Sequence, residues 1–281
     1  MSRNAWWLLA ILPGILLAGC PAHDERDIAK SQTRLDLAKD FLNKHQLEAA
    51  TTECDRAIAF NPANDEAYVI RGFVAMVHAR DTQTTLEIDG CLTGLDAEAT
   101  HKDLEKYLLA ADEDFAKAAK INPEYGEAWA SRGLVHNLLE DYSTAVEYLK
   151  KALENPARLA DPGLTRANLA WSYFHQAKYV DAAKELRDVM QFQQKQCVAT
   201  YRLGRVYFAR EEWDKAAELF ETVSSDPSCG SQEASLYLMK TRMQQGLVND
   251  ARAARDACLK ISPKSCNASQ CRADGGALGA P

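Results

Sequence analysis

No apolar run in this sequence is long enough to cross a membrane and stay there. The apolar stretch near the start covers residues 6–18 and is broken by Pro13 and Gly14, whereas a spanning helix needs about 20 apolar residues. No basic run stands out either, and the net charge is −7. An electrostatic footprint for nucleic acid is therefore missing. The histidines, His23, His45, His78, His101, His136 and His175, are scattered, without a His-Glu-x-x-His pair. There is no Gly-x-Ser-x-Gly elbow and no phosphate-binding Gly-rich loop. These absences argue against an enzyme. No catalytic residue, metal ligand set, cofactor, small-molecule substrate or nucleic-acid partner is expected. Acidic runs such as Asp112, Glu113 and Asp114 fall where a helix is expected, and a solvated face accounts for them.

What the N-terminus does have is a layout. Arg3 precedes the apolar stretch, and the small residues Ala18 and Gly19 come just before Cys20. A positive start, a short apolar middle and a small-residue cut site make a cleaved export signal. Leu17-Ala18-Gly19-Cys20 also resembles the bacterial lipobox. The resemblance implies removal of residues 1–19, lipid on the Cys20 thiol and acylation of the new amino group. More than one acyl chain is what stable anchoring needs. By the enteric sorting rule, Pro21 in place of Asp favours the outer membrane over the inner one. Residues 20–30 read as the lipidated N-terminus and a polar tether, with the body of the protein in the periplasm.

The rest of the chain repeats. A small residue is followed three positions later by a bulky one, then by Ala twelve positions after the small residue, then by Asn-Pro or Asp-Pro. Ala38, Phe41, Ala50 and Asn61-Pro62 fit, as do Gly133, His136, Ala145 and Asn155-Pro156. Ala170, Tyr173 and Ala182 come next, followed by Gly204, Tyr207, Ala216 and Asp226-Pro227. Met239, Ala251 and Ser262-Pro263 are the weakest match. Ala170 to Gly204 spans 34 residues, and so does Ala182 to Ala216. Small residues let paired helices approach, bulky ones fill the space between units, and Pro ends the second helix. The pattern resembles the tetratricopeptide repeat, a helix-turn-helix unit of about 34 residues. It implies an all-α superhelical solenoid of about six repeats over residues 31–264. One unit is stretched. Gly72 resembles the small position of its first helix, and Ala111, Phe115 and Asn122-Pro123 resemble its second. About residues 80–106 are extra. Gly90, Gly94 and several Thr suggest a long loop there, either a tolerated insertion or a partner contact. Residues 265–281 read as a flexible tail.

Eight cysteines are present. With Cys20 lipidated, Cys54, Cys91, Cys197, Cys229, Cys258, Cys266 and Cys271 remain, an odd set, so at least one stays unpaired within the chain. An exported chain meets oxidising conditions. Antiparallel helices put the start and end of a unit side by side, so Cys197 with Cys229 is a plausible clip. Cys54 with Cys91 would tie down the insertion, and two of Cys258, Cys266 and Cys271 would staple the tail. Zinc is not expected, because no histidine lies near the C-terminal cysteines to complete four ligands.

A lipid-tethered chain made almost wholly of such repeats resembles the PilF, PilW and Tgl group of type IV pilus lipoproteins, most of all the Tgl branch. That resemblance implies an outer-membrane pilotin that binds a secretin subunit and promotes its localisation or oligomerisation. An adaptor for peptidoglycan synthesis or hydrolysis enzymes is the second reading. By resemblance to the repeat family, first helices line a concave groove. Here that gives Val69, Phe73, Met76, Leu134, Leu138, Trp171, Phe174, Tyr201, Arg205 and Phe208. The lining is apolar and aromatic, and suits an amphipathic or apolar segment. Some of these side chains would instead be packed between helices.

Overall fold

The computed structural model of the protein describes residues 25–192 and 196–278. Cys20 and the expected signal segment 1–19 lie outside the described residues. Among those residues the chain is all-α, with thirteen α-helices, two short 3-10 turns and no strand. Twelve of the α-helices pair antiparallel. They are α1 (Glu25–Asn43) with α2 (Leu47–Phe60), α3 (Asp65–Glu87) with α4 (Gly94–Ile121), and α5 (Gly126–Leu138) with α6 (Tyr142–Glu154). The other pairs are α7 (Pro162–His175) with α8 (Tyr179–Phe192), α9 (Cys197–Ala209) with α10 (Trp213–Ser225), and α11 (Gln232–Gln244) with α12 (Val248–Ile261). Each pair packs on the next.

Local chemistry sets the ends. Asn64, Asp141, Asp161 and Ser231 accept a backbone N–H from the third residue on, capping α3, α6, α7 and α11. Asn61, Asn122 and Asn155 end α2, α4 and α6 in extended or turn conformations, each followed by Pro. Inside the pairs the core is rich in alanine. Ala38, Ala50, Ala57, Ala145, Ala182 and Ala216 are fully buried. Glycine takes the tightest crossings: a Cβ at Gly72 would lie 2.6 Å from the Phe115 ring, and one at Gly204 2.7 Å from Phe220.

Five of the six pairs share one turn. His45, Glu140, Ala177, Glu211 and Gly246 all have φ between 57° and 74°. Each donates its N–H to the carbonyl three residues back. The next residue donates to the carbonyl five back, as Lys178 does to Tyr173. This is the Schellman motif, and only Gly246 holds it without a side-chain penalty.

The second pair departs from the rest, and corrects an expectation. Residues 80–106 are not a long loop. α3 has 23 residues and α4 has 28, against 13 in α5. The connection is residues 88–93. The threonines that suggested a loop are absorbed by the helix, since Thr82 and Thr85 hydroxyls donate to the carbonyls of His78 and Asp81. Ten extra residues lengthen α3 by about 15 Å. The lengthened hairpin reaches the far end of the array. Cys91 is disulfide-bonded to Cys266, the Cys91 N–H donates to Lys264 (3.2 Å), and the Ser262 hydroxyl donates to Ile88 (3.1 Å).

Two terminal expectations change as well. Helix α1 starts at Glu25, so residues 25–30 are helical and belong to the array rather than to a tether. Residues 265–278 are no loose tail. Ser265 caps α13 (Cys266–Asp274), a 3-10 turn (Gly275–Leu278) follows, and Cys271 and Leu278 are buried against α11 and α12. A disulfide, Cys258 to Cys271, pins the segment down.

Candidate functional site

The first helices of five successive pairs converge. One cavity of about 490 Å³ is lined by Gln83 of α3, Leu138 of α5, Trp171 of α7, Tyr201 and Arg202 of α9, and Glu233 of α11. Five stacked helices can meet around one space only if the stack curves around it, so this is the inner wall. A second cavity of about 470 Å³ adjoins it and shares Gln83 and Leu138. Its other walls are Phe73, Met76, Val77, Leu104 and Leu108, with Ala79 and Arg80 completing the lining. The lengthened α3 and α4 supply most of it. The inner wall is therefore apolar on the side of the second pair and mixed on the side of the fourth to sixth.

The mixed side is built around an indole. Trp171 stacks on Phe174 (5.0 Å between centroids). The Arg202 and Arg205 guanidiniums lie 5.2 and 5.4 Å from the Trp171 centroid. Arg205 also lies 3.9 Å from the Tyr237 centroid and donates to the Tyr201 hydroxyl (2.9 Å). Arg202 donates to Asn168 (2.8 Å). Burial pushes the Arg202 guanidinium down to about 10, still charged at neutral pH, and pushes the Tyr201 phenol above its usual range. Beneath, Asn137 donates to the Asn168 carbonyl (3.0 Å) and accepts from Ser172 (2.7 Å), which ties α5 to α7.

Of the residues expected along the groove, Phe73, Met76 and Leu138 line the apolar cavity, and Leu138, Trp171 and Tyr201 line the mixed one. Phe174 and Arg205 sit in the aromatic cluster, where Phe208 packs on Trp213 and Tyr237. Leu134 is half-buried on α5 and lines neither cavity. Val69 is a correction: it is 1% exposed, inside the α3–α4 core with Phe115. The family spacing counted this position as groove-facing, whereas here Val69 belongs to the buried cluster shared by α3, the C-terminal part of α4 and the start of α5. Arg202, Tyr237 and Gln83 were missed. The i, i+3 spacing of Arg202 and Arg205 put both on one helix face and was the available signal.

The cysteines divide cleanly. Cys197 is bonded to Cys229, Cys91 to Cys266 and Cys258 to Cys271. A Cys54–Cys91 bond is not formed. Cys54 is buried and free, on α2, and burial raises its thiol to about 12. Cys91 instead sits at the hairpin tip, beside the C-terminal helix.

A sequence profile described as tetratricopeptide repeat matches residues 199–227, the α9–α10 pair. No curated protein sequence matches the chain. Among solved structures, PilW, described as a widely conserved type IV pilus biogenesis factor, superposes with a TM-score of 0.66 at 19% identity, over 85% of this chain and 96% of that one. PilF of Pseudomonas aeruginosa gives 0.66 at 13% identity, over 89% and 100%. Cut9 in the APC/C Cut9–Hcn1 hetero-tetramer gives 0.68 at 14% identity, over 89% of this chain but 44% of that one. At these identities the likeness is one of fold: an all-α tetratricopeptide-repeat solenoid.

Proposed function

We propose that the protein is an outer-membrane lipoprotein of type IV pilus assembly, whose inner wall holds a secretin subunit while it reaches the membrane and oligomerises. The solenoid alone does not select this reading, because Cut9 superposes as well as the pilus proteins do. The observation that carries it is extent. The array covers PilW and PilF nearly end to end and only part of Cut9. A lipobox-like Cys20 immediately before the array adds to it. The mechanism needs no bond-making step. An acylated Cys20 holds the groove at the membrane surface, and that raises the effective concentration of groove for an arriving secretin subunit.

A deletion strain tests this directly. Heat-stable secretin multimers are expected to vanish and leave monomers, and Cys20→Ala is expected to mislocalise the protein and give the same defect. Normal multimer levels in the deletion strain reject the reading. Septation or cell-shape defects with intact pili point instead to an adaptor for peptidoglycan enzymes.

A further inference from the structure

Arginine on this chain is normally matched. Arg34, Arg56, Arg71, Arg132, Arg158 and Arg166 each hold a carboxylate within ion-pair distance. Arg202 and Arg205 do not. Arg187, Arg252 and Arg272 also lack one, but Arg252 and Arg272 donate to backbone carbonyls of the C-terminal segment, and only Arg202 and Arg205 share one indole on the inner wall. Among the described residues no Asp or Glu lies within 4.0 Å of either guanidinium, although the chain as a whole is acidic. Glu233 lines the same cavity, faces solvent and stays beyond that distance. Both cations lean on one indole, so they also repel each other. Their hydrogen bonds go to neutral acceptors, Asn168 and the Tyr201 hydroxyl. Aromatic faces compensate part of the charge, and a partly desolvated cation pair still gains most from an anion. Arg202 lines the mixed cavity, Arg205 lies beside it in the aromatic cluster, and across Gln83 and Leu138 that cavity adjoins the apolar one.

We propose that Arg202 and Arg205 together form an anchor for a side-chain carboxylate of an amphipathic helix, whose apolar residues enter the neighbouring cavity between α3, α4 and α5. The charge argues for an acid, and the adjacency of the two cavities argues for an occupant that is apolar on one stretch and acidic on the next. The inference rests on the reading that the inner wall is the partner site, and it specifies that partner's chemistry. The two guanidiniums form the recognition element, and Asn168 and Tyr201 orient them.

The test is a selection of random peptides displayed on phage against the full-length oxidised protein. Selected peptides are expected to carry Asp or Glu beside aliphatic or aromatic positions. One synthetic winner, amidated at its C-terminus, should bind about 30-fold more weakly to Arg205→Gln. Its own Glu→Gln version should be equally weak on the wild type, and the two changes together should cost little more than either alone. Arg205→Lys retains the charge and is expected to keep part of the acidic enrichment, and unchanged helical circular dichroism separates a lost anchor from a lost fold. Selected peptides without acidic enrichment, or a Glu→Gln peptide that binds undiminished, overturn the inference and leave the groove reading standing. Binding that requires a free C-terminal carboxylate overturns the side-chain anchor. An inner wall that selects no peptide overturns the groove reading along with it.

Discussion

Gly204 faces Phe220 with no room for a methyl group. Its ideal Cβ would lie 2.7 Å from the ring of a fully buried phenylalanine, between α9 and α10. Adding bulk there forces either the ring or the helix aside, and overpacking of this kind costs about 1–3 kcal/mol. Gly204→Val is therefore expected to lower the urea midpoint without changing the slope of the transition. Gly90→Ala meets nothing within 4 Å and serves as the neutral control. An unmoved midpoint for Gly204→Val would mean that Phe220 can swing away, and that this crossing is looser than its geometry. At this scale the sequence was informative wherever a small side chain was the signal. Gly72, Gly133 and Gly204 recur in register and each meets the paired helix. It was silent on the left-handed turns. His45, Glu140, Ala177 and Glu211 adopt φ near 60° with no glycine to announce it, because the surrounding hydrogen bonds impose the conformation. It was also misleading on Val69, which the repeat spacing placed in the groove and the packing of α3 against α4 and α5 buries.

Helix α13 shows what composition conceals about an element. Residues such as Gly275 and Gly276 suggested fraying. Gly275 instead packs where a Cβ would come within 2.6 Å of the Arg255 side chain, close to Met239. Arg252 donates to the Leu278 carbonyl (2.7 Å). Stacked repeats need a cap, because the last unit otherwise shows its apolar face to water. Here α13 covers Leu236, Met239 and Cys258, all 1% exposed or less. Truncation after Lys264, with Cys91→Ser and Cys258→Ser to prevent mispairing, is expected to lower the thermal midpoint. Amide exchange should rise in α11 and α12 and stay unchanged in α5 to α8. Uniform loss of protection across the array would show α13 to be part of one global unit instead of a local cap. The α3–α4 hairpin was misread for a related reason: Gly90 and Gly94 do mark a turn, but a short one, and Thr82 and Thr85 are helical, with their hydroxyls bonded to the preceding turn.

Across the whole molecule, local pattern and global closure come apart. The unit register was legible because a repeat is written in nearest-neighbour contacts. The Cys197–Cys229 clip followed from the same local geometry. The Cys91–Cys266 bond did not, because it depends on the superhelical path between residues 175 positions apart. That bond changes the kind of stability the protein has. An open array is approximately a sum of repeats and neighbour interfaces, and its ends fray independently. A bridge from the second pair to the C-terminal cap makes distant units share one constraint. In the chain-entropy treatment, closing a loop of this length is worth up to about 5 kcal/mol. Met239→Ala, a truncation in the sixth pair, tests the consequence. With the bridge intact, it is expected to reduce exchange protection both in α11–α12 and around residues 88–92 at the hairpin tip. In Cys91→Ser/Cys266→Ser, the same truncation is expected to loosen α11–α12 alone, and the overall transition should broaden. Identical exchange patterns with and without the bridge would show that the bond adds no shared constraint beyond the Cys91–Lys264 and Ser262–Ile88 hydrogen bonds.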